Sequence, residues 1–257
     1  MLWYAWISIH LHLSLQPEEV VAVATFFRSK TGRGLLLAAG LLIAVASGPT
    51  TVFVLLALVA LACMVELASF TLFSEFTQKK GALLAVALQG LIVTVGVIAT
   101  LYVIDRYGLW ATMVVVAAVY LENAGAQIFG KKYGRRPLAP RYSPNKTLEG
   151  AAYGWICGSL GGLIFLGLAM WRDSIETPLV WLIVVLVAPP LAELGDWVES
   201  RMKRLVGVKD SSDLTRDGTR FIRIVSLSWL FGRQGGALDK TDSLWLVLCV
   251  VLPMFLL

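Results

Sequence analysis

The chain has 257 residues, 58% of them hydrophobic before its 23 glycines are counted, and only 15% of them charged. An ordinary soluble domain carries about 25% charge, and a globule of this size in water could not hide so much apolar surface, so a soluble enzyme is excluded. Three cysteines without a glycine period exclude a disulfide scaffold and collagen, and a mean hydropathy of +0.76 excludes a disordered chain. The charge that remains is lopsided, 22 Lys and Arg against 17 Asp and Glu. Where it sits is the informative question.

Residues 1–34 come first. The stretch 1–27 is interrupted by His10, His12 and Pro17 and lacks a basic start, so a cleaved signal peptide is not expected. Trp3, Tyr4 and Trp6 suit the headgroup level, and the segment reads as interfacial. Apolar runs of about 20 residues then mark membrane-crossing helices. They cover roughly 35–48, 51–74, 81–104, 109–130, 151–170 and 178–195, with a shorter one at 242–257. The expected fold class is therefore all-α, a polytopic integral membrane protein with about seven transmembrane helices plus interfacial helices. Residues 35–130 form its N-terminal helices, and 131–257 form a second membrane region with cytoplasmic loops at 131–150 and 196–241. A further apolar stretch, 221–232, is too short to cross and reads as interfacial or re-entrant.

Threading these spans leaves only Arg106 and Arg172, of the 22 basic residues, on one side of the membrane. The basic-rich side is then cytoplasmic, by the positive-inside rule. Four acids fall within or at the ends of spans, all toward that side: Glu66, Glu122, Glu193 and Asp196. Ionisable groups at such depth are costly unless they face a bundle interior or a wet cavity. Helix-end solvation explains any one of them; four together point to a polar cavity open to the cytoplasm.

Two cytoplasmic segments carry chemistry. The loop 130–150 holds six basic residues and ends in Ser143-Pro-Asn145-Lys146-Thr-Leu-Glu149-Gly. At the start of a helix these groups can aim hydroxyls, an ammonium and backbone N–H at an anion, with Glu149 pairing Lys146 or binding a cation. A capped, basic loop explains the same composition. The second segment runs from Glu193 through Asp196, Lys203, Arg204, Lys209 and Asp210, and resumes at Gly235-Gly-Ala-Leu-Asp239-Lys-Thr-Asp242-Ser. Asp239 and Asp242, at i and i+3, share a helix face. Carboxylates so spaced suit Mg²⁺ carrying a nucleotide's phosphates. An acidic helix cap explains one such pair but not the whole set.

The stretches SPNKTLEG (143–150), GDWVESRMKRLVGVKDSS (195–212) and GGALDKTDSL (235–244) resemble the signature regions of the CDP-diacylglycerol synthase (phosphatidate cytidylyltransferase) family. The likeness runs from about Ala124 to the C-terminus; upstream, only compatible hydrophobicity is visible. The resemblance implies an enzyme of phospholipid biosynthesis that converts CTP and phosphatidate, or a similar lipid phosphate, to CDP-diacylglycerol and pyrophosphate. It implies Asp210, Asp239, Asp242 and Lys209 as catalytic residues, and Asp196, Asp210, Asp239 and Asp242 as metal ligands. Ser143, Asn145, Lys146, Lys203, Arg204 and Gln234 would bind substrate. The cofactor expected is Mg²⁺, with a second, monovalent cation as an option. The partners expected are CTP, a membrane lipid phosphate and the bilayer, with no nucleic acid; a homodimer is a further option.

Three positions depart from that pattern. Gln234 stands where the family carries a histidine, and Asn123 and Gln127 stand where it carries an acid and an aromatic, with Glu122 adjacent. An insertion lies between Leu214 and Arg233. Gln cannot titrate, so an acid–base role at that histidine would be lost. A divergent paralogue acting on another lipid phosphate is one alternative, and a non-catalytic lipid-binding membrane protein is another. Product analysis separates a CTP-using lipid kinase, and a transporter lacks the expected inverted repeat. Cys63, Cys157 and Cys249 have no ligand spacing and read as reduced packing residues. Gly158, Gly161 and Gly162 allow close helix packing.

Overall fold

The computed structural model describes residues 39–41, 43–72, 81–139, 143–173, 175, 178–206, 226 and 236–256. The interfacial segment at 1–27, the stretch 221–232, and Lys209, Asp210 and Gln234 lie outside the described residues, except for Ser226. The chain forms two compact units, Met1–Gly48 and Pro49–Leu257. In the first, a helix over 43–47 ends at Gly48, whose φ of 105° only glycine adopts readily.

Among the described residues, the second unit holds five helices and one hairpin: α1 (Pro49–Leu72), α2 (Ala82–Tyr133), β1 (Pro137–Ala139), β2 (Ser143–Thr147), α3 (Leu148–Asp173), α4 (Pro178–Val206) and α5 (Leu238–Leu256). Among the described residues, α1 to α4 are each long and apolar enough to cross a membrane. α2 is twice the needed length. Its 52 residues would reach about 78 Å if straight, more than double the hydrocarbon core. Gly108, at φ 86° and ψ 175°, breaks it into the two spans that the apolar runs predict. Gly96 before the break and Tyr120 after it both meet the N-terminal half of α5, at Trp245 and at the Lys240 carbonyl. Tyr107, next to the break, packs on Trp181 and Phe255. The chain therefore turns back at Gly108.

The second half of α2 runs antiparallel to α3 along a seam of small residues. Gly150, Gly154, Gly158 and Gly162 recur every four residues of α3 and meet Gly130, Ala126, Glu122 and Ala118 of α2 in reverse order. In lipid, where apolar side chains gain little from one another, such close backbone approach is what holds helices together. The glycines at 158, 161 and 162 thus find their partners within the chain.

α4 carries Pro189 and Pro190 in its interior. Each proline deprives the carbonyl four residues earlier of its donor. α3 supplies both replacements: Trp155 Nε1 donates to the Leu186 carbonyl at 2.9 Å, and Ser159 Oγ to the Val185 carbonyl at 3.5 Å. The repair is what lets a helix with two prolines stay in an apolar medium.

The loop at 131–150 corrects two expectations. It is not entirely helical or irregular: β1 and β2 pair antiparallel, with Pro137 opposite Thr147 and Ala139 opposite Ser143. Residues 143–147 are strand rather than helix start, because Pro144 restricts the residue before it to extended backbone. α3 begins one residue after Thr147, whose hydroxyl caps it by accepting the Gly150 N–H at 3.1 Å.

A Cβ at Gly158 would stand 2.5 Å from the Ala118 carbonyl oxygen, whereas Gly167, on the same helix, faces open space. Gly158→Leu is expected to cost about 1–3 kcal/mol by overpacking, read as a lower melting temperature in detergent micelles. Gly167→Leu should leave the melt unchanged. Equal melts for the two variants would refute the seam.

Candidate active site in the helix bundle

The site arises where three helices converge near the N-terminus of α5. Gly195 sets the distance between α4 and α5, since a Cβ there would lie 2.8 Å from the Ser243 Cα. One turn of helix spaces Glu193, Asp196, Glu199 and Lys203 along one side of α4. The close approach turns that side onto Asp239 and Asp242 of α5. α1 contributes from below: the buried Glu66 accepts the Ala237 N–H at 2.9 Å and the Leu238 N–H at 3.0 Å. A carboxylate from a helix at the other end of the sequence thus satisfies the orphan donors of α5 and complements its dipole. Gly236 is required beside it, because any Cβ would collide with the Glu66 carboxylate.

The charged groups form one chain of contacts. Lys146, from β2, reaches Glu193 at 2.8 Å and Asp196 at 2.5 Å. Burial pulls its ammonium toward deprotonation, but Asp196 and Glu193 outweigh that, and its pKa is raised overall. On the far side Lys203 lies 2.5 Å from Glu199 and 2.5 Å from Asp239. The second oxygen of Asp239 accepts the Gly236 N–H at 2.6 Å. Between the two lysines, carboxylate oxygens of Asp196, Glu199 and Asp242 all lie within 4.8 Å of one another. Glu199 and Asp242 are buried, and Asp196 is half-buried. Beside Lys146 a groove of about 390 Å³ is lined by Leu138, Pro190, Glu193, Leu194 and Trp197.

These positions sort the expected residues. Asp196, Asp242, Lys146, Lys203 and Asp239 come together, with Asp239 engaged by Lys203 and Gly236, and Glu199 joins Asp196 and Asp242 in a group of three carboxylates. Glu199 was not among the expected site residues, although its spacing from Asp196 and Lys203 on one helix side could have found it. Arg204 is exposed in the last turn of α4, and Asn145 is exposed on β2. Ser143 lies at the start of β2. Glu149 pairs neither Lys146 nor a cation. It accepts the N–H groups of Arg135 and Arg136 at 3.0 and 3.1 Å and the Arg136 Nε at 2.9 Å, closing the base of the hairpin. Glu122 is buried beside Gly154, with no hydrogen-bond partner for either oxygen among the described residues; Glu193, Lys146 and Asp196 are the charges that act on it.

Fold and site define a class: an integral membrane protein whose apolar helices enclose a carboxylate cluster bracketed by two lysines. The chain belongs to the cytidylyltransferase family, whose sequence model matches residues 2–217. That match takes in the N-terminal helices, where composition alone shows only hydrophobicity, and stops short of 235–244. Among curated relatives, a phosphatidate cytidylyltransferase of Staphylococcus saprophyticus is 33% identical over 153 residues, 58% of this chain and 50% of the relative. One from Staphylococcus epidermidis is 36% identical over 56% of this chain and 46% of the relative. One from Bacillus subtilis is 32% identical over 56% and 47%. The chain spans about half the length of the curated relatives it matches.

Glu66→Gln should destabilise the protein, because the amide nitrogen of Gln would face a backbone donor. A loss of about 1–3 kcal/mol is expected for a buried donor left unsatisfied, measured as a lower thermal midpoint in micelles. An unchanged midpoint would show that α5 does not depend on this cap.

Proposed function

We propose that the protein is a CTP-dependent cytidylyltransferase, which transfers the cytidylyl group of CTP to phosphatidate or a similar lipid phosphate. The observation that carries this reading is the triad of Asp196, Glu199 and Asp242 held between Lys146 and Lys203. The lipid phosphate oxygen attacks the α-phosphorus of CTP, the bond from that phosphorus to the β-phosphate bridge breaks, and pyrophosphate leaves. Both nucleophile and leaving group are phosphates, so no protein nucleophile is needed. Positioning and neutralisation of charge supply the catalysis.

The residues present fit a magnesium ion. All three donors are hard carboxylate oxygens, and Glu199 Oε1 is buried without a hydrogen-bond partner among the described residues. Their oxygens lie within 4.8 Å of one another, close enough for one divalent ion to be shared among them. Asp196, Glu199 and Asp242 would hold the ion; bound there, it would neutralise charge on the phosphates of the nucleotide. Lys146 extends from the hairpin at the edge of the groove, where its ammonium can leave Glu193 for a substrate phosphate. The apolar walls of the groove, Leu138, Leu194 and Trp197, suit the glycerol and upper chains of a lipid. The basic residues that flank the spans support a cytoplasmic orientation for the site, where CTP is available.

The test is the full chain in detergent micelles with CTP, Mg²⁺ and a panel of lipid phosphates. CDP-lipid and pyrophosphate are expected, and Asp242→Asn should lower the rate by at least ~10²-fold, as loss of a charge-stabilising group does. Release of CDP in place of pyrophosphate, or no CDP-lipid from any member of the panel, would overturn the assignment.

A further inference from the structure

Lys146 holds Asp196 and Glu193 at once, and it stands where a cation would compete with it. Both oxygens of Asp196 are in use: Oδ2 meets the Lys146 ammonium at 2.5 Å, and Oδ1 accepts from the Ser200 hydroxyl at 3.4 Å. Asp196 is also one of the three carboxylates that close on one position with Glu199 and Asp242. A divalent ion taken up there sits on the same carboxylate as the ammonium. The two positive charges then repel at close range, in a medium that screens them poorly. Lys146 is the one able to move, because it rides on the hairpin and its side chain is 23% exposed.

A buried carboxylate stands ready beside it. Glu122, on the second half of α2, is 1% exposed, and neither of its oxygens accepts a hydrogen bond among the described residues. Its direction can be read from α3. A Cβ on Gly158 would meet the Glu122 Cβ and the Pro189 Cγ, each at 2.9 Å. A Cβ on Gly154, one turn nearer the hairpin, would meet Glu122 Oε1 at 2.9 Å. The side chain therefore climbs one turn of α3 toward the hairpin. α4 climbs the same turn from Pro189 to Glu193, four residues on and on the same face. Glu122 and Glu193 thus share a level, and ionised carboxylates can only accept. Glu193 accepts from Lys146 at 2.8 Å, and the Lys146 charge also acts on Glu122. Of the two, Glu122 is the one with no donor among the described residues.

We propose that Glu122 is a positioning residue for Lys146: when a divalent ion takes Asp196, the ammonium is displaced onto Glu193 and Glu122, and this seat holds it beside the groove until a substrate phosphate draws it out. This rests on the cation position and on the role of Lys146 given under the proposed function. Glu122 touches neither the ion nor the substrate. Glu193 stays bound throughout, so the ammonium exchanges one carboxylate for another. An ion must therefore compete with Lys146 to enter. Once bound, it frees the lysine from Asp196, so that a phosphate meets an ammonium held only by Glu193 and Glu122. Ion binding and phosphate binding are coupled through this one side chain.

Mn²⁺ binding to the full chain in detergent micelles tests this without turnover, with electron paramagnetic resonance as the measure of bound ion. Glu122→Gln is expected to weaken Mn²⁺ binding about 5-fold or more, the lower end of couplings between sites, because the displaced ammonium loses an acceptor. Lys146→Met should tighten binding, since the competitor is gone. The deciding measurement is Glu122→Gln in the Lys146→Met background, where it should leave the affinity unchanged. Equal weakening in both backgrounds would mean that Glu122 acts on the ion directly or through the fold. That result, no weakening by Glu122→Gln beside an intact Lys146, or no gain from Lys146→Met, overturns the seat alone. Should Lys146→Met or Glu122→Gln fail to fold, Lys146→Gln and Glu122→Met complete the same cycle. If the unaltered protein binds no Mn²⁺, or Asp242→Asn binds it as tightly, the cation position falls, and the seat with it.

Discussion

A carboxylate inside an apolar helix bundle has to be matched by positive charge or by hydrogen-bond donors, because the medium around it offers neither. Here Glu193, Asp196, Glu199, Asp239 and Asp242 crowd into the space where α4 faces α5, and Lys146 and Lys203 are paired with four of them. The rest of the second unit can be understood as the means of holding that cluster still. Gly195 brings the two acidic helix faces together, Glu66 and Gly236 fix the start of α5, and Glu149 anchors the hairpin that delivers Lys146. Buried carboxylates packed this closely are a poor way to stabilise a protein.

The scaffold around the cluster relies on backbone rather than on apolar burial. The glycine seam between α2 and α3 and the proline pair of α4 look like opposite choices, one closing helices together and the other opening a helix up. They are coupled, because α3 presents its glycines to α2 and its Trp155 and Ser159 to the carbonyls that Pro189 and Pro190 release. α3 therefore cannot rotate about its axis without losing one set of contacts or the other. Glu193 and Asp196 follow directly after the prolines, so their direction is set by the same repair.

Much of this was legible in the sequence. Apolar runs located the long helices α1 to α4, including the division of α2, because hydrophobic length is the dominant cost in a bilayer. The i, i+3 spacing of Asp239 and Asp242 and the position of Asp196 at the end of a span picked out residues that the fold brings together. Other features were hidden, for physical reasons that differ. Glu199 lies amid a run of alternating charges, where a buried ligand and a solvated residue look alike until the neighbouring helix is known. The assignment of Asp239 to Lys203, and of Lys146 to Glu193 and Asp196, depends on contacts across 36 and about 50 residues, which no local pattern encodes. The strand at 143–147 was misread as a helix start because its hydroxyl, amide and ammonium groups suit either, and Pro144 decides the matter. The glycines of α3 announced close packing but not with whom.

The bond between Glu66 and the start of α5 spans 171 residues of sequence. Membrane helices enter the bilayer one after another, so the amides of Ala237 and Leu238 have no partner there until α1 is already in position and the intervening helices have packed. The carboxylates that gather around α5 are therefore the last part of the bundle to acquire their arrangement, and they acquire it only when the whole bundle closes. A partly assembled chain would hold its acids apart. The repulsion among them would then be felt only once the helices that hold them are already packed.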